Sequence, residues 1–287
     1  MSVITKRGRG FLMIAGLVGS VLVAGCGGSS LAEDIAPLHR AADVTAATGV
    51  RMTISLKESV GGPSVAFQAT GAFTPKKDQG TMMMTMESPA AGSGPATPMR
   101  VVIAKGTIYE RLPQALASQI PGGKPWLSLK LSQLNTLNQL PGLYGFIKES
   151  LIFDDPRQYL DFLSAAAAGS VKKLGQARVN GVQTTRYQAA IDVSKLPAVT
   201  PSAKGQPAAQ LVLGLTRSLH ATVMPVDVYV DRKSLIRQLQ TTLRGKYAGI
   251  AVSLKVTENI TRYGSQPVPA VPSPANTTNL LSLVKGL

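Results

Sequence analysis

Val50-Arg51-Met52-Thr53-Ile54-Ser55-Leu56-Lys57 alternates apolar and polar side chains one by one, and that two-residue period decides the fold. Successive side chains of a strand point to opposite faces, so Met52, Ile54 and Leu56 belong to a buried face and Arg51, Thr53, Ser55 and Lys57 to a wet one. Gly61-Gly62-Pro63 then marks a turn. Val65, Phe67 and Ala69 resume the alternation, and Gln79 to Glu87 continues it with Met82, Met84 and Met86 opposed to Thr81, Met83 and Thr85. Strands that follow one another through short turns predict an antiparallel meander.

The same grammar runs downstream. Arg100 to Ala104 and Thr107 to Leu112 straddle Gly106 as a hairpin, and Pro125 to Leu131 holds the only tryptophan, Trp126. Val171 to Val179 and Val182 to Asp192 flank Asn180-Gly181, a dipeptide suited to the left-handed conformation of a tight hairpin turn. Val226, Val228 and Val230, then Leu235 to Leu243, then Ile250, Val252, Leu254 and Val256 add three more strands. Helical spacing appears in Leu31 to Ala47, in the stretch that Asp155-Pro156 opens through Phe162 and Leu163 to Gly169, and in about Ala208 to His220. Ser88 to Pro98 reads as a low-complexity loop and Ser132 to Leu151 as an irregular leucine-rich insert. The expectation is an α+β chain with about ten or eleven antiparallel strands. A sheet of that size curls, and the helices bury their apolar sides in its hollow.

The N-terminus decides where such a domain would work. Lys6, Arg7 and Arg9 precede Phe11 to Ala24, an apolar run of 14 residues that is short of the ~20 needed to span a bilayer. It closes on Val23-Ala24-Gly25-Cys26, which resembles the lipobox of bacterial lipoproteins. The resemblance implies a signal peptide at residues 1–25, cleavage between Gly25 and Cys26, and a diacylglyceryl or acyl group on Cys26. Residues 26–33 would be a tether, 34–275 a single domain and 276–287 a C-terminal tail. The protein would then sit on the extracytoplasmic face of a cell membrane. Cys26 is the only cysteine, so no internal disulfide is available and the fold rests on its own core. Cleavage removes three basic residues and no acidic one, leaving 27 basic and 15 acidic residues, a net charge of +12. The cations are dispersed and aromatic residues sparse, which is not the pattern of a nucleic-acid binder and suits anionic lipid head groups better.

Catalytic and metal-binding patterns are weak. His39 and His220 lie far apart with no cysteine or carboxylate at ligand spacing. Ser170 to Lys173 and Ser282 to Lys285 match S-x-x-K without its companion motifs. Asp154, Asp155 and Asp161 are explained by helix capping and solvent exposure before acid–base chemistry. No metal, cofactor or enzymatic activity is expected. The methionine stripe is more suggestive, because unbranched thioethers fill irregular spaces and tolerate mobile contents.

Several stretches, taken in order, resemble a known group. They are the lipobox, Gly106-Thr107-Ile108-Tyr109-Glu110-Arg111-Leu112-Pro113, Trp126, the Asp155-Pro156 helix and Val179 to Tyr187. Met224-Pro225-Val226-Asp227-Val228-Tyr229-Val230-Asp231 and Tyr263 to Val268 complete the series. Their order is similar to the actinobacterial envelope lipoproteins of the LppX/LprA/LprF/LprG family and, more remotely, to LolA-like lipoprotein carriers, over roughly Val50 to Ala275. The loop at 88–98 and the insert at 132–151 depart from that pattern. The resemblance implies a curved, unclosed half-barrel with helices on its concave face and an apolar cavity for lipid or glycolipid, with a membrane exporter as a further partner. Candidate wall residues are Phe67, Met82, Met84, Trp126, Phe162, Leu163, Val228, Ile250 and Val252. A packed interaction or sensor lipoprotein without a ligand is the alternative expectation.

Overall fold

The computed structural model describes residues 31–62, 64–74, 79–87, 98–118, 120, 122–130, 132–133, 162–163, 166, 170–196, 213, 216–217, 219–247 and 249–284. Gly25 and Cys26, residues 88–97, most of the 132–151 insert and most of the two later helical stretches lie outside the described residues.

Among the described residues, twelve strands form one sheet. They are β1 (Val50–Val60), β2 (Ser64–Thr74), β3 (Gln79–Glu87), β4 (Met99–Ala104), β5 (Thr107–Arg111) and β6 (Trp126–Lys130), then β7 (Lys172–Val179), β8 (Val182–Asp192), β9 (Val223–Asp231), β10 (Ile236–Tyr247), β11 (Ile250–Tyr263) and β12 (Thr277–Asn279). Their order across the sheet is β12-β6-β5-β4-β3-β2-β1-β11-β10-β9-β8-β7, so two meanders meet where β1 pairs with β11. The end strands β12 and β7 do not pair with each other, and the sheet is open. Both sharp hairpins have the expected chemistry. Lys105 and Gly106 have φ of 50° and 72°, and Asn180 and Gly181 have φ of 48° and 80°. Paired positive φ values match the strand twist that a two-residue hairpin requires.

The strand count exceeds the expectation by β12, which lies in the segment read as a tail. It pairs in parallel with β6, Thr278 opposite Leu127, in a sheet whose other pairs are antiparallel. Helix α3 (Leu280–Val284) follows and buries Leu280 to 2% exposure against Leu127 and Leu129. Three residues carry no detectable period, so only tertiary packing reveals that strand. At the other end, α1 (Leu31–Ala46) begins inside the stretch read as tether. The short α2 (Gln114–Ala117) lies between β5 and β6.

Helix α1 joins the sheet through its apolar side and one buried hydroxyl. Leu38 and Ala41 are fully buried in the same core cluster as Met52, Ile54 and Leu56. Thr45 Oγ1 accepts the Ile236 amide at 3.2 Å, and the Tyr263 hydroxyl, 3.4 Å from Thr45 Oγ1, donates to the Ile236 carbonyl. Asp231 holds the β9–β10 turn beside it, accepting from the amides of Lys233 and Leu235 and pairing with Arg237 at 2.7 Å.

Candidate functional site

Residues directly opposite one another in a sheet share a face, so the register lists what lines each side. One row on the buried side runs Ile260, Met52, Gly71, Met82, Val101, Glu110, Leu127 from β11 to β6. The next row runs Leu239, Glu258, Ile54, Ala69, Met84, Met99 from β10 to β4. Each row is apolar apart from one carboxyl and, in the first, one glycine. Burying an aliphatic or aromatic side chain contributes about 1.5–3 kcal/mol, so this face is both the core and the stickiest surface of the molecule. Phe73 stands opposite Gly80 within it, and the ring lies 2.4 Å from where a Cβ on residue 80 would be. That glycine leaves the space the ring fills.

Over the second meander the buried face leaves a small cleft. Ile191 of β8, Met224 and Val226 of β9, Leu239 and Thr241 of β10, and Val256 and Glu258 of β11 line it, and Phe162 lies over them. Its volume is about 20 Å³. A single water needs roughly 10–15 Å³ on the same measure, and small-molecule sites span roughly 300–1,000 Å³. Glu258, 2% exposed, is the one carboxyl in its wall.

A second carboxyl lies at the opposite end of the face. Glu110 on β5 is 6% exposed between Val101 of β4 and Leu127 of β6. Its Oε1 has no hydrogen-bond partner among the described residues. It lies where two apolar clusters meet, Met99, Val101, Ile103 and Ile108 on one side and Leu127, Leu129 and Leu280 on the other. Burial in these surroundings pushes the carboxyl from an ordinary 4.5 up to about 7.

The expected wall residues separate into three groups. Phe67, Met82, Met84, Phe162, Leu163, Val228 and Val252 all join one buried cluster, and of these Phe162 touches the cleft. Trp126 is half-buried and shares the parity of Arg111 and Arg100, the face opposite Leu127 and Leu129. A strand that alternates cannot put Trp126 and its neighbour Leu127 on one side. Ile250 has the inward parity but sits at the β10–β11 hairpin end, 48% exposed. Neither Glu110 nor Glu258 is among the expected wall residues. Both occupy the apolar parity of their strands, Ile108-x-Glu110-x-Leu112 and Val256-x-Glu258-x-Ile260, and that misplacement is the sequence signal that would have found them. Among the described residues, no three histidine, cysteine, aspartate or glutamate side chains gather to hold a metal, and no helix is long and apolar enough to cross a membrane.

No family model matches the chain. A curated relative, an uncharacterized 31.2 kDa protein from the rplA-rplJ intergenic region of Streptomyces griseus, is 27% identical over 246 residues, 86% of this chain and 76% of that protein. Among solved structures, the chain is similar to LprF from Mycobacterium bovis at 13% identity and a TM-score of 0.45, covering 86% of this chain and 99% of that one. It is also similar to the lipoprotein LppX from Mycobacterium tuberculosis at 13% identity and a TM-score of 0.41, covering 84% and 99%.

Proposed function

We propose that this chain is an envelope lipoprotein that binds lipid or glycolipid chains against the buried face of its sheet and shuttles or presents them beside a membrane. Cys26, cleaved free at Gly25 and acylated, holds it to the extracytoplasmic surface. Residues 34–275 act as one domain whose sheet curves into a half-barrel, with the helices on its concave side. A membrane exporter supplies or receives the lipid, and no bond of the lipid is made or broken.

The observation that carries this reading is the continuity of the apolar face. It runs across both meanders and is rich in methionine, with Met52, Met82, Met84, Met99 and Met224 all buried. Each methylene withdrawn from water onto such a face contributes about 0.8 kcal/mol, so acyl chains are held without a polar site. The cleft of about 20 Å³ favours a second reading, a packed interaction protein that carries nothing. Native mass spectrometry of the protein purified from its own host, with organic extraction of the same sample, separates the two. A stoichiometric lipid supports the carrier; protein that is lipid-free apart from its anchor supports the packed form. Cys26→Ala tests the anchor separately, by release from the membrane fraction.

A further inference from the structure

The face of the sheet turned away from the core is built against its own electrostatics. Arg51 on β1 stands directly opposite Arg262 on β11, and six residues further along β1 Lys57 stands opposite Lys255. On the same face, further across the first meander, Arg100 of β4 stands opposite Arg111 of β5. All six side chains are exposed, and Arg244 and Lys246 of β10 add two more exposed cations on the same face. Like charges directly opposite one another destabilise a sheet, where a cation facing a carboxylate would stabilise it. No acidic side chain has the outward parity on β1, β10 or β11 among the described residues. Two strands from these cations on either side, Asp227 of β9 has the outward parity and is already held by Arg186 at 2.8 Å, and Glu87 at the end of β3 is in the cross-strand row of Lys57. Between the two opposed pairs of β1 and β11 the surface carries Thr53, Ser55, Thr257 and Asn259, with exposed Thr261 at the register shift beside Arg51. The result is a polar band about 20 Å long, at ~3.3 Å per residue, with cations at both ends.

We infer that this outer face, centred on Arg51, Lys57, Lys255 and Arg262, docks on the anionic phosphate head groups of a lipid bilayer. A charged plane supplies counter-anions to every cation at once and relieves the repulsion that the pairing creates. The inference rests on the anchoring half of the proposed function only for delivery. Five residues, Cys26 to Ser30, precede α1 and reach roughly 17 Å when extended, which keeps the sheet within touching distance of the surface. It does not depend on whether the inner face carries lipid.

The test uses the full chain on vesicles of neutral phosphatidylcholine and on vesicles that also carry phosphatidylglycerol, with acetylation of lysines read by mass spectrometry. On anionic vesicles Lys57, Lys255 and Lys246 become several-fold less reactive, while Lys173, which has the inward parity on the edge strand β7, does not, and salt abolishes the difference. A basic residue near an anionic surface contributes roughly a fivefold factor in affinity, so replacing Arg51, Lys57, Lys255 and Arg262 by glutamine lowers binding by on the order of a hundredfold or more. Those substitutions remove repulsion, so circular dichroism and the thermal midpoint show a fold no less stable than before. Equal lysine reactivity on both vesicle types overturns the inference, as does protection by a soluble acidic polypeptide but not by vesicles. Retention on neutral vesicles reports the Cys26 anchor alone, and its loss leaves the face-specific result readable.

Discussion

Met84 and Met83 are neighbours on β3, yet one is 2% exposed and the other 45%. That difference, repeated strand after strand, separates two surfaces with opposite chemistry. The inner one is apolar and takes in two buried carboxyls, Glu110 and Glu258. The outer one is threonine, serine and glutamine with opposed cations. A sheet needs its inner face to be apolar in order to fold. Nothing in folding calls for arginine opposite arginine on the other side, so the outer face carries information about what the molecule meets.

Substitutions on the two faces put the contrast on a scale. Ile54→Ala removes buried methylenes from the centre of the inner row and lowers stability by about 2–5 kcal/mol in urea unfolding. Thr53→Ala, one residue away on the outer face, changes it by less than about 0.5 kcal/mol. Equal effects from the two would erase the distinction.

Glu110 makes the inner face sensitive to pH. Below pH 4.5 folded and unfolded chains both hold the proton, and this group adds no pH dependence. Between 4.5 and about 7 the unfolded chain releases it while the folded one retains it, so stability falls as pH rises. Above about pH 7 the full loss, about 3 kcal/mol, is in place. Glu110→Gln removes that slope, and Glu110→Leu removes it while raising stability at pH 8. A Gln variant with the wild-type slope contradicts the assignment.

The hydroxyl that ties α1 to the sheet comes next in size. Thr45→Val strands the buried Ile236 amide and costs about 1–3 kcal/mol, with faster amide exchange at Ile236 as the local signature. The smallest effect has the opposite sign. Arg51→Gln relieves its repulsion with Arg262 and raises the stability of the free protein by about 0.2–1 kcal/mol at low salt, less at high salt. Destabilisation there would mean that the arginines have partners of their own.

Much of this was legible in the chain itself. Alternation located β1 to β3 and β9 to β11, and Gly106 and Asn180-Gly181 marked the β4–β5 and β7–β8 hairpins, because period and turn chemistry are local. β12 was invisible, because three residues hold no period and its partner β6 lies far away in sequence. The two cation pairs of β1 and β11 were invisible for the same reason: Arg51 and Arg262, like Lys57 and Lys255, meet only when the two meanders join. Of the expected wall residues, Val228 and Met84 are buried as their parity predicts, Trp126 belongs to the opposite parity, and Ile250 is exposed because a hairpin end is open to water whatever its parity.

The most direct measurement of the central claim is photolabelling of the full chain with a fatty acid that carries a diazirine along its hydrocarbon tail. The account predicts that adducts fall on inner-face residues such as Phe67, Met84 and Phe162, and that Met83 and Trp126 on the other side stay unmodified. Adducts concentrated on Met83 and Trp126, or none above the level of an unfolded control, would contradict it.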